Sequence, residues 1–77
     1  MNASVTMPGA ASILVVDDEP DLRTLYELTL LREGHRVSSA ASLAEARALL
    51  ATQAYDLVVT DMRLTDGLGL ELLREMA

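Results

Sequence analysis

The chain has no cysteine, no tryptophan, no phenylalanine and no lysine. Without cysteine there is neither a disulfide nor a thiolate metal site, which agrees with a reducing compartment and leaves any metal to oxygen or imidazole ligands. Without Phe and Trp, the core has to be assembled from Leu, Val, Ile and Ala. Without lysine, every basic residue is arginine, and six of them against twelve acids leave a net charge of −6. That balance excludes the basic face that direct nucleic-acid binding requires. It suits a cation binder or a cytoplasmic module, and a cytoplasmic location is expected. No apolar run approaches the roughly 20 residues of a membrane span. The first eleven residues lack the positive charge of a signal peptide. Seventy-seven residues allow one domain at most, and a chain of this size buries only about 60% of its unfolded surface.

Residues 1–11, small, polar and broken by Pro8-Gly9, are expected to form a disordered leader. Ser12 to Asp17 reads as a first strand. Its run Ile13-Leu14-Val15-Val16 is continuous rather than alternating, as in a parallel sheet covered on both faces. Asp18 or Glu19 then caps a helix that opens with Pro20 and runs to about Glu33. Leu22, Leu25, Tyr26, Thr29 and Leu30 form its expected buried stripe. Leu28 and Leu31 fall off that stripe, and Gly34 ends the helix. Arg36 to Ala40 is short and half polar, an edge strand. Ser42 and Glu45 form a capping box, in which each side chain serves the other residue's backbone N–H. The alanine-rich helix it opens runs to about Thr52, with Leu43, Ala46, Leu49 and Leu50 inward. A third strand covers Asp56 to Thr60. A glycine-containing loop and a last helix from near Leu68, carrying Leu70, Leu72, Leu73 and Met76, complete the order β-α-β-α-β-α. Such an order forces parallel pairing and right-handed crossovers. Ligands of open α/β sheets bind at the carboxyl ends of the strands.

Asp17, Asp18 and Asp61 all fall at those ends. Three carboxylates at one point repel one another unless a cation joins them. A hard divalent cation with oxygen ligands fits, magnesium best, because it takes one or two carboxylates and keeps waters or a substrate phosphate. An aspartate beside such a metal is also a nucleophile towards phosphorus. Each residue also has a plainer reading. Asp18 suits a helix N-cap, Asp17 a solvated strand end, Asp66 a turn and Asp56 a solvated strand start. Asp61 is hardest to explain that way, because it ends an apolar strand with no helix to cap. His35 reads as a surface residue in the turn after the first helix.

The segments Ile13-Leu14-Val15-Val16-Asp17-Asp18-Glu19-Pro20 and Asp56-Leu57-Val58-Val59-Thr60-Asp61-Met62-Arg63-Leu64 resemble the receiver domain of bacterial two-component response regulators. The similarity runs from Ser12 to Ala77. Asp-Met-Arg-Leu with Gly-Leu-Glu-Leu-Leu downstream looks most like receivers of NtrC-type enhancer-binding regulators, pilus-type ones included. The resemblance implies a flavodoxin-like α/β fold, here with three parallel strands in the order 2-1-3 and three helices. It implies that Asp61 accepts phosphate from a sensor histidine kinase. It further implies that Mg2+ is held by Asp17, Asp18, Asp61 and the backbone carbonyl of Arg63. Gly69 matches the family glycine before the third helix, and Thr65 stands where the family usually has proline. Residues 12–77 would then be a partial receiver. A complete one continues through a fourth strand ending in Ser or Thr and a fifth ending in Lys, in the order 2-1-3-4-5. In that order the third strand of this chain lies at an open, apolar edge, through which it can self-associate.

Two further functions compete with a phosphoacceptor. One is a non-phosphorylated interaction module acting through the open sheet edge or through Leu28 and Leu31. The other is a small hydrolase of the dehalogenase type, which wants a second aspartate two residues past the nucleophile, where this chain has Arg63. A dinucleotide site would need a Gly-x-Gly-x-x-Gly after the first strand, and none is present. The expected role is therefore an acceptor of phosphate, with at most weak autophosphorylation or autodephosphorylation, rather than an enzyme.

Overall fold

A computed structural model describes residues 10–76. The apolar run forms β1 (Ser12–Val16), whose residues Ile13, Leu14, Val15 and Val16 are all at most 2% exposed. Each such side chain contributes roughly 1.5–3 kcal/mol on burial, so this one strand is the main anchor of a small core. Strand β2 (Arg36–Ala40) pairs parallel to one side of β1 and β3 (Leu57–Thr60) to the other, giving the order β2-β1-β3. The register sets Val16 beside Ala40 and beside Thr60, so the three carboxyl ends are level. The expected parallel sheet and its 2-1-3 order are present.

Two apolar clusters cover the faces of β1. Leu14 and Val16 pack with Ala40, Leu43, Ala46, Leu64 and Leu72. Leu43 and Ala46 come from α2 (Leu43–Thr52) and Leu72 from α3 (Gly69–Met76). Leu49 and Leu50 are half-buried against this cluster. The opposite face joins Ala11, Ile13 and Val15 to Leu30, Val37 and Val59. Ala11, placed in the leader by its composition, is 3% exposed; residues 1–9 lie outside the described residues.

The helix α1 (Pro20–Arg32) departs from expectation. Of the stripe Leu22, Leu25, Tyr26, Thr29 and Leu30, only Leu30 reaches the core, and α1 has no fully buried residue. Leu22 is 45%, Leu25 57% and Tyr26 40% exposed. The reason is the width of the sheet. Among the described residues the sheet has three strands with β3 at one edge; α1 packs mainly towards β1 and β2, and its amino-terminal half overhangs a cleft. Leu28 and Leu31 are exposed as expected.

A second difference lies after β3. The expected loop contains a tight antiparallel hairpin, β4 (Arg63–Leu64) and β5 (Gly67–Leu68), turning on Thr65-Asp66. Neither strand is the family's fourth or fifth. Gly67 lies at φ +152°, and a Cβ there would stand 2.6 Å from the Leu43 side chain. The site-forming end of β3 is thus followed at once by a short, closely packed reversal.

Candidate phosphoacceptor and metal site

The three level strand ends gather the acids predicted from the sequence. One carboxylate oxygen from each of Asp17, Asp18 and Asp61 lies within 4.8 Å of the other two. Asp17 is 5% exposed, Asp18 is half-buried and Asp61 is exposed. Backbone bonds fix the first and last of them. The Asp17 N–H donates to the Ala40 carbonyl at 3.0 Å, and the Asp61 N–H donates to the Val16 carbonyl at 2.9 Å. Strand β1 therefore sets both positions, one through β2 and one through β3.

The alternative of an Asp18 cap is resolved by its neighbour. Glu19 is the N-cap of α1, its side chain accepting from the Asp21 N–H at 3.3 Å. The Glu19 N–H in turn donates to Asp17 Oδ1 at 2.9 Å. One Asp17 oxygen is thus engaged within the loop, and the Asp17 carbonyl accepts from Arg23 Nη1 at 2.9 Å. Asp18 is left to the cluster. The donor set is all oxygen, acidic and partly buried, and it fits a hard divalent cation such as Mg2+. Such an ion offsets the mutual repulsion of three carboxylates and neutralises an incoming phosphoryl group.

A cleft of about 290 Å³ opens beside the cluster, lined by Asp17 and Asp61 with Leu22, Tyr26, Val59 and Met62. Asp61 therefore borders space that a small phosphate ester or a partner's side chain can enter. Arg63 begins β4, two residues past Asp61, with an exposed side chain.

Gly69 shows why the segment after Asp61 takes one path. A Cβ at this position would overlap the Asp61 carbonyl oxygen and stand 2.7 Å from Thr60 Oγ1. Its N–H donates to the Met62 carbonyl at 2.9 Å. Glycine is required because backbone meets backbone.

Asp66 and Asp56 are more than turn and terminus residues. Asp66 Oδ1 accepts from the Leu43 N–H at 2.9 Å and Oδ2 from the Ala44 N–H at 3.0 Å, capping α2 from a distant loop. These N–H groups, the Leu43 one first, hold its carboxyl below the usual carboxylate range. Asp56 Oδ2 accepts from the Ser12 N–H at 2.8 Å, tying the start of β1 to β3. The capping box is half as expected: Ser42 Oγ accepts from the Glu45 N–H, but Glu45 returns to the Ala41 N–H, one residue earlier. His35 is half-buried rather than at the surface, with Nδ1 accepting from the Ala11 N–H at 3.1 Å. Only the proximity of Asp66 to a helix start in space could have revealed its role, and sequence spacing carries no such signal.

The comparisons with known proteins agree with this geometry. Residues 13–77 match the model of the response regulator receiver domain. The response regulator protein PilR of Pseudomonas aeruginosa is 54% identical over 61 residues, 79% of this chain and 14% of PilR. The transcriptional regulatory protein AfsQ1 of Streptomyces coelicolor is 42% identical over 65 residues, 84% of this chain and 29% of AfsQ1. Among solved structures, the chemotaxis response regulator CheY4 of Vibrio cholerae superposes with a TM-score of 0.82 at 29% identity, over 86% of this chain and 55% of CheY4. TrrA of Thermotoga maritima, solved in complex with Mg2+-BeF, gives a TM-score of 0.81 at 38% identity, over 86% of this chain and 57% of TrrA. The chain thus spans a small part of the curated relatives and just over half of the solved chains. On the match across residues 13–77, the chain belongs to the receiver domain family of two-component response regulators.

Proposed function

We propose that Asp61 is the phosphoacceptor of this receiver and that Asp17, Asp18, Asp61 and the Arg63 carbonyl hold Mg2+. The observation that carries the reading is the convergence of the three carboxylates within 4.8 Å at one end of the sheet. In the step itself, an Asp61 carboxylate oxygen attacks phosphorus. The bond from phosphorus to the donor, a histidine nitrogen of a sensor kinase, breaks, and its electron pair leaves with the donor. Asp61 suits the attack because it is exposed, whereas Asp17 is buried and already accepts a hydrogen bond. Bound Mg2+ supplies the positive charge that lets an anionic nucleophile approach an anionic phosphoryl group. The naming of PilR as a response regulator and of AfsQ1 as a transcriptional regulator supports a place in cytoplasmic transcriptional control.

The test is incubation of the 77-residue chain with a small acyl phosphate, with and without Mg2+, followed by intact mass. A gain of one phosphoryl group that needs Mg2+ and is lost in Asp61→Asn is expected. Labelling that persists in Asp61→Asn would overturn the assignment.

A second reading rests on a separate observation. Among the described residues, strand β3 is paired on one side only, and Leu57 on it is 51% exposed. Unpaired strand edges template pairing with another chain, so self-association through β3 is the alternative use of this module.

A further inference from the structure

We propose that Asp66 is a positioning residue for the acceptor site, fastening the Arg63–Leu68 hairpin to the first turn of α2. The proposal rests on the reading of Asp61 and Arg63 as parts of the Mg2+ site, and it concerns what holds them still. The hairpin is pinned at its tip and at its base. At the tip, both Asp66 oxygens accept α2 backbone N–H groups, from Leu43 at 2.9 Å and Ala44 at 3.0 Å. Beside the tip, Gly67 lies against the Leu43 side chain, where a Cβ would stand 2.6 Å from it and force it to shift. At the base, the Gly69 N–H donates to the Met62 carbonyl, and Gly69 is packed on the Asp61 carbonyl. The Leu68 N–H donates to Glu71 Oε2 at 2.9 Å, which fixes the exit into α3.

Only four residues separate Asp61 from Asp66, and two of them, Arg63 and Leu64, are paired strand residues. There is little slack between them. A helix start leaves N–H groups without intrahelical partners, and here two of them are satisfied by a loop that also carries the site. Movement of Arg63 or Asp61 is therefore resisted by α2, and occupancy of the site is felt at the Leu43 and Ala44 amides. Groups that orient ligands from outside typically change metal affinity about 10–100-fold when removed.

Mg2+ titration of the 77-residue chain, followed by amide NMR, separates the outcomes. In the wild type, Mg2+ should shift the Leu43 and Ala44 amides together with those of Asp61 to Arg63. In Asp66→Ala, affinity should fall about tenfold and the Leu43 and Ala44 amides should no longer respond. Asp66→Asn retains one acceptor oxygen and should fall between the two. A folded Asp66→Ala chain with unchanged Mg2+ affinity overturns the proposal. So does a wild-type titration in which Leu43 and Ala44 stay still, and that result needs no variant. If the wild type binds no Mg2+, the metal reading fails on its own. The fastening is then judged without metal, by hydrogen exchange at Leu68 and Gly69, which Asp66→Asn should accelerate; unchanged exchange overturns it.

Discussion

At the scale of single residues, the positions of greatest consequence are those where backbone meets backbone or a charge meets an N–H. Gly69 is the sharpest case, because any Cβ there overlaps the Asp61 carbonyl. The obstacle is backbone at the end of β3 rather than a flexible side chain, so Gly69→Ala should cost about 1–3 kcal/mol, as overpacking does. Urea unfolding of the two chains measures it, and an unchanged midpoint would refute the close approach. Asp66 gives a pH prediction with a definite sign. The Leu43 and Ala44 N–H groups lower its folded-state value below the ordinary carboxylate value of about 4. A group lowered on folding adds stability above its unfolded value and loses it as pH falls through the folded one. The urea midpoint should therefore decline from about pH 4 downwards, and Asp66→Asn should flatten part of that decline. Glu75, lowered by its hydrogen bond to Arg47, contributes in the same direction, so the Glu75→Gln chain is the control that apportions the slope.

At the scale of elements, the sequence was most legible where one local rule decided the outcome. Continuous apolar runs gave β1 and β3, a capping serine gave the start of α2, and acids at strand ends marked the three carboxylates that converge. Legibility failed where a partner distant in sequence decided. The periodicity of α1 predicts a buried stripe of which only Leu30 reaches the core, because periodicity does not say how wide a sheet lies beneath the helix. Leu22, Leu25 and Tyr26 therefore stay exposed beside the three-stranded sheet. After β3 the sequence does carry a hairpin dipeptide, Asp66-Gly67, but strands of two residues are too short to show alternation. The register puts the loop one residue earlier, on Thr65-Asp66, with Gly67 at φ +152° and α2 completing the geometry. This contrast predicts unequal costs for apolar substitutions. Leu72, on α3 and fully buried, should cost about 2–5 kcal/mol as Leu72→Ala, enough to unfold so small a chain. Leu25→Gln on the overhanging face of α1, at 57% exposure, should change stability by no more than about 0.5 kcal/mol. Thermal melts of the two variants check it. A large loss in Leu25→Gln would mean that the α1 face is covered in solution.

At the scale of the whole molecule, two features oppose each other. Among the described residues, the second side of β3 offers unpaired backbone groups and the exposed side chain of Leu57, which in the 77-residue chain favours pairing with a second copy. The net charge of −6 opposes the approach of two copies. A two-fold symmetric pairing of β3 with β3 would be antiparallel, and each strand is flanked by Asp56 and Asp61. The acidic end of one strand would then face the acidic start of the other, adding a local repulsion to the general one. Screening is the factor that decides between them. At low salt the charges act over about 30 Å, and at physiological ionic strength over about 8 Å. Sedimentation velocity should therefore show a monomer at low ionic strength and increasing dimer as salt is raised. If Mg2+ is held at Asp61 as proposed, it should act at lower concentration than sodium, because it would neutralise that end directly. Leu57→Glu, at a position already half exposed, should leave the fold intact and abolish the dimer at every salt concentration. A dimer that survives Leu57→Glu would assign the association to another surface, the exposed Leu28 and Leu31 of α1 being the next to test by the same substitution.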